Sequence, residues 1–118
     1  TKKMSTKQKY NFVQQTAGDT FLETEFGLEL NDSPIDISAY AIKAEFRKDN
    51  NNGEVVHTAT VGNGITVINA LQGEFKIDEF LMPEEAGIYP YDIEFTLPGG
   101  QIRTYLFGVL DLTEDITA

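Results

Sequence analysis

The chain has 118 residues, of which 41% are hydrophobic and 11% aromatic, a composition typical of one globular domain and not of a disordered segment. It contains no cysteine, which excludes disulfides and thiolate metal sites, and no apolar run approaches the roughly 18 residues of a transmembrane helix. The net charge is −10, and residues 10–118 alone carry five basic and 19 acidic side chains, an excess of acid that repels phosphate backbones and disfavours nucleic-acid binding.

The first nine residues have the opposite charge. They carry four lysines and no acid, so we predict a flexible basic arm over residues 1–9. The alternative is an arm that docks on an acidic neighbour and is anchored by strand addition. The candidate docking residues are Lys2, Lys3, Lys7, Lys9, Tyr10 and Phe12. Whether Thr1 follows a removed initiator methionine or Met4 is the true start stays open.

Apolar residues alternate with polar ones along most of the remaining chain. In 41–48, Ile42, Ala44 and Phe46 share one face, and in 88–97 the odd-numbered apolar residues do the same. This period of two predicts strands. The predicted strands lie near 10–14, 20–30, 41–48, 54–61, 65–69, 73–78, 88–97 and 101–112. A single helical turn is predicted at 79–86, where Pro83 suits a first helical position.

Turn residues separate these strands at short intervals, as at 31–34, 49–53, 62–64 and 98–100. One polar and one apolar face on each strand is the pattern of an antiparallel sheet packed on a second layer. We therefore predict an all-β fold, a single antiparallel β-sandwich of about seven to nine strands over residues 10–118. The sequence has no internal repeat and no second domain.

The residues offer little for catalysis or for metal binding. His57 is the only histidine, it lies inside a predicted strand, and no nucleophile motif accompanies it. The carboxylate pairs Glu23 with Glu25 and Asp92 with Glu94 lie on predicted outward faces, where solvation keeps a carboxyl pKa ordinary. The segment 49–54, DNNNGE, does not satisfy a calcium-loop pattern and predicts a hairpin turn instead. We predict a protein without enzymatic activity, cofactor or metal.

Tyr89 and Tyr91 flank a proline in the segment 85–91, EAGIYPY. The segment resembles the tyrosine corner of immunoglobulin-like domains, in which a tyrosine hydroxyl bonds to backbone just upstream. Tyr89 takes the tyrosine place and Tyr91 the place of the usual cysteine. The parity of the strand points both rings toward the core, so we interpret them as structural. An exposed aromatic platform for a ligand is the alternative.

The order of motifs resembles the immunoglobulin-like N-terminal domain of tailed-phage baseplate upper proteins and related phage and prophage tail proteins. The matching segments are 18–21 (GDTF), 34–40 (PIDISAY), 44–47 (AEFR), 73–77 (GEFKI), 86–93 (AGIYPYDI) and 108–113 (GVLDLT). Family members often continue into stalk or receptor-binding modules, so the chain is expected to be either a small virion protein or a fragment.

The resemblance implies an immunoglobulin-like sandwich and a structural virion protein, made in the cytoplasm of the bacterial host and located in the tail or baseplate. Its partners would be other virion proteins and possibly copies of itself, without nucleic acid or membrane insertion. The alternative is a carbohydrate-binding or adhesin-type sandwich that recognises a host surface glycan. Sugar binding needs exposed aromatic side chains, whereas most aromatic residues here lie on inward parity.

Overall fold

The computed structural model describes residues 2–4 and 8–114, and it consists of strands joined by short turns. The strands are β1 Lys2–Met4, β2 Gln8–Lys9, β3 Gln15–Thr16, β4 Thr20–Phe21, β5 Thr24–Leu30, β6 Ser33–Pro34, β7 Ala41–Arg47, β8 Val55–Val61, β9 Gly64–Asn69, β10 Glu74–Ile77, β11 Phe80–Leu81, β12 Gly87–Thr96 and β13 Ile102–Thr113. The helical content of the described residues is one 3₁₀ turn, Ala70–Gln72. The predicted all-β class is confirmed.

Nine strands follow one another in a single curled sheet, in the order β1-β5-β10-β9-β8-β7-β12-β13-β2. β6 adds beside β5 and β3 beside β13, while β4 and β11 form a separate two-stranded sheet. The contact between β8 and β9 is narrow, since it consists of Thr60 opposite Gly64 and Val61 opposite Ile65. No described helix is long and apolar enough to cross a membrane.

The longest ladder joins β7, β12 and β13 and confirms the predicted alternation. Ile42, Ala44 and Phe46 are buried, and the residues between them are not. β12 runs antiparallel to β7, and its buried Tyr91, Ile93 and Phe95 lie opposite Phe46, Ala44 and Ile42 on the inner face. Because successive side chains of a strand point to opposite sides, one face of this ladder fills the core and the other is left at the surface.

Aromatic rings fill the core in two clusters. At one end, Phe46 lies within 5.3–6.3 Å of the rings of Phe12, Phe21, Phe80 and Tyr91. At the other end, Phe95 lies 5.2–6.2 Å from the rings of Tyr40, Phe75 and Tyr105. Edge-to-face and offset arrangements of this kind add to the free energy of burial.

The strand predicted at 10–14 is wrong, although this segment does run beside β13. The Tyr10 and Phe12 amides donate to the Phe107 and Val109 carbonyls at 2.8 and 3.1 Å. Between them the ladder is broken, because the Val109 amide bonds to the side-chain Oδ1 of Asn11. Gly108 permits the close crossing, since a Cβ there would lie 2.0 Å from the Tyr10 carbonyl oxygen.

The strand predicted at 20–30 is interrupted, and the helical turn predicted at 79–86 is wrong. The chain leaves the sheet at residues 22–23, so that β4 pairs with β11 and β5 pairs with β10. The Met82 amide donates to the Asp19 carbonyl, and the Pro83 carbonyl accepts from the Gly18 amide. Residues 79–86 therefore form backbone hydrogen bonds with the segment around β4. In a helix, the same backbone groups would have bonded to other residues of the helix.

Residues 1–9 are predicted to be a flexible arm, but the parts of this segment that the structure describes form strands. β1 pairs in parallel with β5, and β2 pairs in parallel with β13. One N-terminal segment thus borders both ends of the nine-strand path, where unpaired strand edges would otherwise be exposed. Residues 1 and 5–7, which include Lys7, lie outside the described residues.

Candidate functional site

Tyr89 lies in β12 with its ring buried, and its hydroxyl donates to the Glu85 carbonyl at 2.6 Å. This is the upstream backbone contact that the sequence predicts for a corner tyrosine. The bond ties the start of β12 to the turn before it. Burial of the phenol, together with the nearby Glu85 carboxylate, raises the pKa of Tyr89.

Tyr91 is also buried, and its hydroxyl donates to the Tyr10 carbonyl at 2.5 Å. Its ring packs on Phe12 and Phe46 at 4.9 and 5.3 Å. Desolvation of the hydroxyl raises the pKa of Tyr91 well above its ordinary value. The exposed aromatic platform considered for the two tyrosines is wrong, because both rings are inside the molecule.

The predicted partner-docking residues have different surroundings in the structure. Lys2 and Lys3 lie in β1, and Lys9 is exposed in β2. Phe12 is buried against Phe21 and Tyr91, and Tyr10 packs on the same core. Phe12 therefore cannot anchor the arm on a partner in this state. The physical reason is that its ring completes this chain's own aromatic cluster.

His57 lies in β8, as predicted, and is held by aromatic contacts. Its ring stacks on Phe80 with centroids 3.7 Å apart, and Phe46 lies 5.9 Å away. Nε2 is buried and has no hydrogen-bond partner among the described residues. Because burial disfavours the charged imidazolium, the pKa of His57 is lowered.

The outer face of β7 and β12 carries Glu45, Asp92 and Glu94. Lys43 lies 3.9 Å from Glu45 and 4.0 Å from Glu94, and Arg47 lies 3.4 Å from Glu45. Burial, with the two neighbouring carboxylates, raises the pKa of Asp92, whereas the sequence predicts an ordinary value for an outward residue.

Asp92 lines a depression of about 200 Å³ in the outer face. Arg47, Pro90, Thr104 and Phe107 are among its lining residues. The depression can take a small polar group, but no cluster of three or more metal-ligating side chains exists among the described residues.

The other sequence-predicted positions have structural surroundings. Glu23 forms an ion pair with Lys76 at 2.5 Å, and Glu25 is exposed on β5. The 49–54 segment is the turn between β7 and β8, in which the Asn50 side chain accepts from the Asn52 amide at 2.8 Å. The prediction of a hairpin turn at this position is confirmed.

Two apolar surface features were missed by the sequence reasoning. Leu81 in β11 and Leu22, directly after β4, are exposed. Ile102 and Val61 border a groove across β8, β7, β12 and β13. The signal for Leu22 was its alternation with the buried Phe21. No comparable signal exists for the groove, because its lining residues come from four separate strands.

The chain matches no family of known proteins and no curated protein.

Proposed function

We propose that the chain is a structural subunit of a phage tail or baseplate that acts by protein–protein assembly and has no enzymatic activity. The hydrogen bond from Tyr89 to Glu85 carries the proposal. It occurs at the residue that the family resemblance assigns to the corner of an immunoglobulin-like domain. The other matching segments fall mainly on the strands β4, β7, β10, β12 and β13.

We further propose that the curled sheet is an immunoglobulin-like sandwich. Its strands divide into β1-β5-β10-β9 and β8-β7-β12-β13-β2, and only two residue pairs connect β9 with β8. Phe75 of β10 packs against Phe95 of β12 with ring centroids 5.5 Å apart, so an aromatic contact connects the two groups. These features support a two-layer arrangement.

The surface favours assembly over chemistry. Leu22 and Leu81, beside and in the small sheet, are 70% and 72% exposed, and exposed apolar patches mark contact surfaces between proteins. The test is to purify tailed particles from the bacterium that encodes the chain and to identify their proteins by mass spectrometry and immunogold labelling. We expect the chain at a fixed site on the tail. Its absence from intact particles would overturn the proposal.

The second candidate is recognition of a host surface glycan. The depression around Asp92 favours it, because it combines carboxylates, Arg47 and the half-buried Phe107 in a volume that suits one sugar unit. A glycan array probed with the purified chain tests this function. Binding that Asp92→Ala abolishes would support the glycan function, and an array without binding, beside positive tail labelling, would leave the assembly role alone.

A further inference from the structure

The sequence contains two asparagine–glycine pairs, Asn52-Gly53 and Asn63-Gly64. An asparagine followed by glycine is prone to lose ammonia from its side chain, because glycine has no Cβ to hinder attack by its own backbone nitrogen. Asn52 and Asn63 are both exposed, so water reaches each of them. The two pairs have the same local chemistry, and their hydrogen bonds therefore decide which of them reacts faster.

The reaction uses only the chain and water. The nitrogen of the glycine loses its proton and forms a bond to Cγ of the asparagine, whose side-chain nitrogen leaves as ammonia. Water then opens the five-membered succinimide at either carbonyl. One opening gives aspartate, and the other gives isoaspartate, in which the main chain continues through Cγ and is longer by one methylene. Because the attacking nitrogen must first lose its proton, a hydrogen bond from its N–H group slows the reaction.

The Gly53 amide has such a bond. It donates to the Asn50 carbonyl at 2.9 Å, and the Asn52 amide donates to the Asn50 side chain at 2.8 Å. The Arg47 guanidinium donates to the Gly53 carbonyl at 3.0 Å. The turn between β7 and β8 therefore occupies the attacking nitrogen and restrains the Asn52-Gly53 peptide on both sides.

The Gly64 amide has no such bond. Where β8 meets β9, the Thr60 amide donates to the Asn63 carbonyl at 2.9 Å, and the Asn63 amide donates to the Thr60 carbonyl at 2.8 Å. Toward β10, Gly64 contributes its carbonyl, which accepts from the Asp78 amide at 2.8 Å. No residue that the structure describes accepts a hydrogen bond from the Gly64 amide. The turn thus fixes Asn63 but leaves the attacking nitrogen unoccupied.

The fold requires glycine at position 64. The backbone φ of +104° lies in the region that favours glycine, and a Cβ there would lie 2.8 Å from Cβ of Ala59. The close approach of β9 to β8 therefore places an unhindered backbone nitrogen directly after the exposed Asn63.

We propose that Asn63 is a site of spontaneous deamidation, at which the Gly64 nitrogen attacks the Asn63 side chain. This inference goes beyond the assembly role and does not depend on it. At the other pair, the bond from Gly53 to Asn50 must break before attack, which should make Asn52 react roughly two- to tenfold more slowly than Asn63.

The product would alter the contact between β8 and β9. Residues 55–73 contain no aspartate, glutamate, lysine or arginine, so the new carboxylate enters an uncharged part of the chain. Isoaspartate also lengthens the connection into Gly64, whereas the contact needs Gly64 and Ile65 to keep their register on β8. Since these two residue pairs form the whole ladder between the two strands, we expect the isoaspartyl form to melt at a lower temperature than the natural chain.

Peptide mass spectrometry of the ageing chain tests the proposal. The purified chain is incubated at pH 8, where base removes the amide proton more readily, and is then cleaved after glutamate. This cleavage separates residues 46–54 from residues 55–74. We expect conversion of amide to acid at Asn63 to proceed roughly two- to tenfold faster than at Asn52. In guanidinium chloride the bond from Gly53 is lost, so the two rates should converge.

Two variants at position 63 complete the experiment. Asn63→Gln keeps the amide but disfavours ring closure, so the fast modification of residues 55–74 should disappear, with circular dichroism to check the fold. Asn63→Asp adds the charge without the methylene and should melt above the isoaspartyl form; equal melting would refute the effect on the contact between β8 and β9. The site itself is refuted if Asn63 in the folded chain reacts no faster than Asn52, or if guanidinium chloride leaves the ratio of the two rates unchanged.

Discussion

At the scale of single residues, the Tyr89 hydroxyl is expected to stabilise the fold through one buried hydrogen bond. Tyr89→Phe keeps the ring and removes the donor, leaving the Glu85 carbonyl without this partner. We expect the free energy of unfolding to fall by about 1–2 kcal/mol. Urea denaturation followed by circular dichroism measures it. An unchanged urea midpoint would show that water replaces the Tyr89 hydroxyl at the Glu85 carbonyl without loss of stability.

Phe95 is expected to contribute more, because its whole ring is buried. It lies between Phe75 and Tyr105 and is inaccessible to solvent. Phe95→Ala should destabilise by about 3–5 kcal/mol, from lost burial and the cavity that remains. Ile102→Ala on the surface is the control and should cost less than about 0.5 kcal/mol. Equal effects of the two substitutions in urea melts would contradict the assignment of faces on β12 and β13.

His57 should make stability depend on pH in the range of histidine titration. Its folded-state pKa is lowered from 6.5, so the unfolded chain binds the proton more readily. The stabilisation is complete above the unfolded pKa and is lost as pH falls through that value toward the lower folded one. The raised pKa of Asp92 acts in the opposite direction, since the folded chain then binds protons more readily.

Comparison of the natural chain with His57→Phe isolates the contribution of the histidine to the pH dependence of stability. A phenylalanine can stack on Phe80 but does not titrate, and Asp92 is present in both proteins. Between pH 8 and pH 5 we therefore expect the stability of the natural chain to fall relative to that of His57→Phe. Parallel curves over this range would show that His57 does not contribute to the pH dependence.

At the scale of elements, the N-terminal segment is expected to close the core and not only to border the sheet. Removal of residues 1–7 takes away β1 and should have a modest effect. Removal of residues 1–12 also deletes Phe12 and the Tyr10 carbonyl that accepts from Tyr91, and should cost about 3–5 kcal/mol. Thermal melts of both truncations separate the two contributions. Equal melting temperatures would show that the segment is dispensable, as expected for a flexible arm.

The sequence predicts strands correctly where polar and apolar residues alternate regularly. The prediction fails where a side chain replaces a backbone group as the hydrogen-bond partner. Both β7 and β12 follow from their period of two. The break at Asn11 does not, because a side-chain oxygen there takes the place of a carbonyl in the ladder. The corner contact of Tyr89 is local and was predictable. The groove lined by Ala41, Val61, Thr96 and Ile102 was not, because these residues become neighbours only when their strands pair.

At the scale of the whole molecule, the net charge of −10 is expected to oppose folding through self-repulsion. The molecule measures 46 × 25 × 25 Å. At about 10 mM salt the screening length of roughly 30 Å exceeds its thickness, so most carboxylates repel one another, whereas at about 150 mM it falls to roughly 8 Å. The described ion pairs are weakened by the same screening, but they engage only four basic side chains, Lys43, Arg47, Lys48 and Lys76.

We therefore expect sodium chloride to stabilise the monomer, with a rise in melting temperature of roughly 2–3 °C, corresponding to about 0.5 kcal/mol, between these two salt concentrations. The matched variant carries Glu54→Lys and Glu114→Lys, two exposed positions, which change the net charge from −10 to −6. At low salt it should melt higher than the natural chain, and its gain from salt should be smaller. Scanning calorimetry at low protein concentration keeps association out of the measurement. Equal gains for both proteins would show that the salt effect does not arise from repulsion among carboxylates.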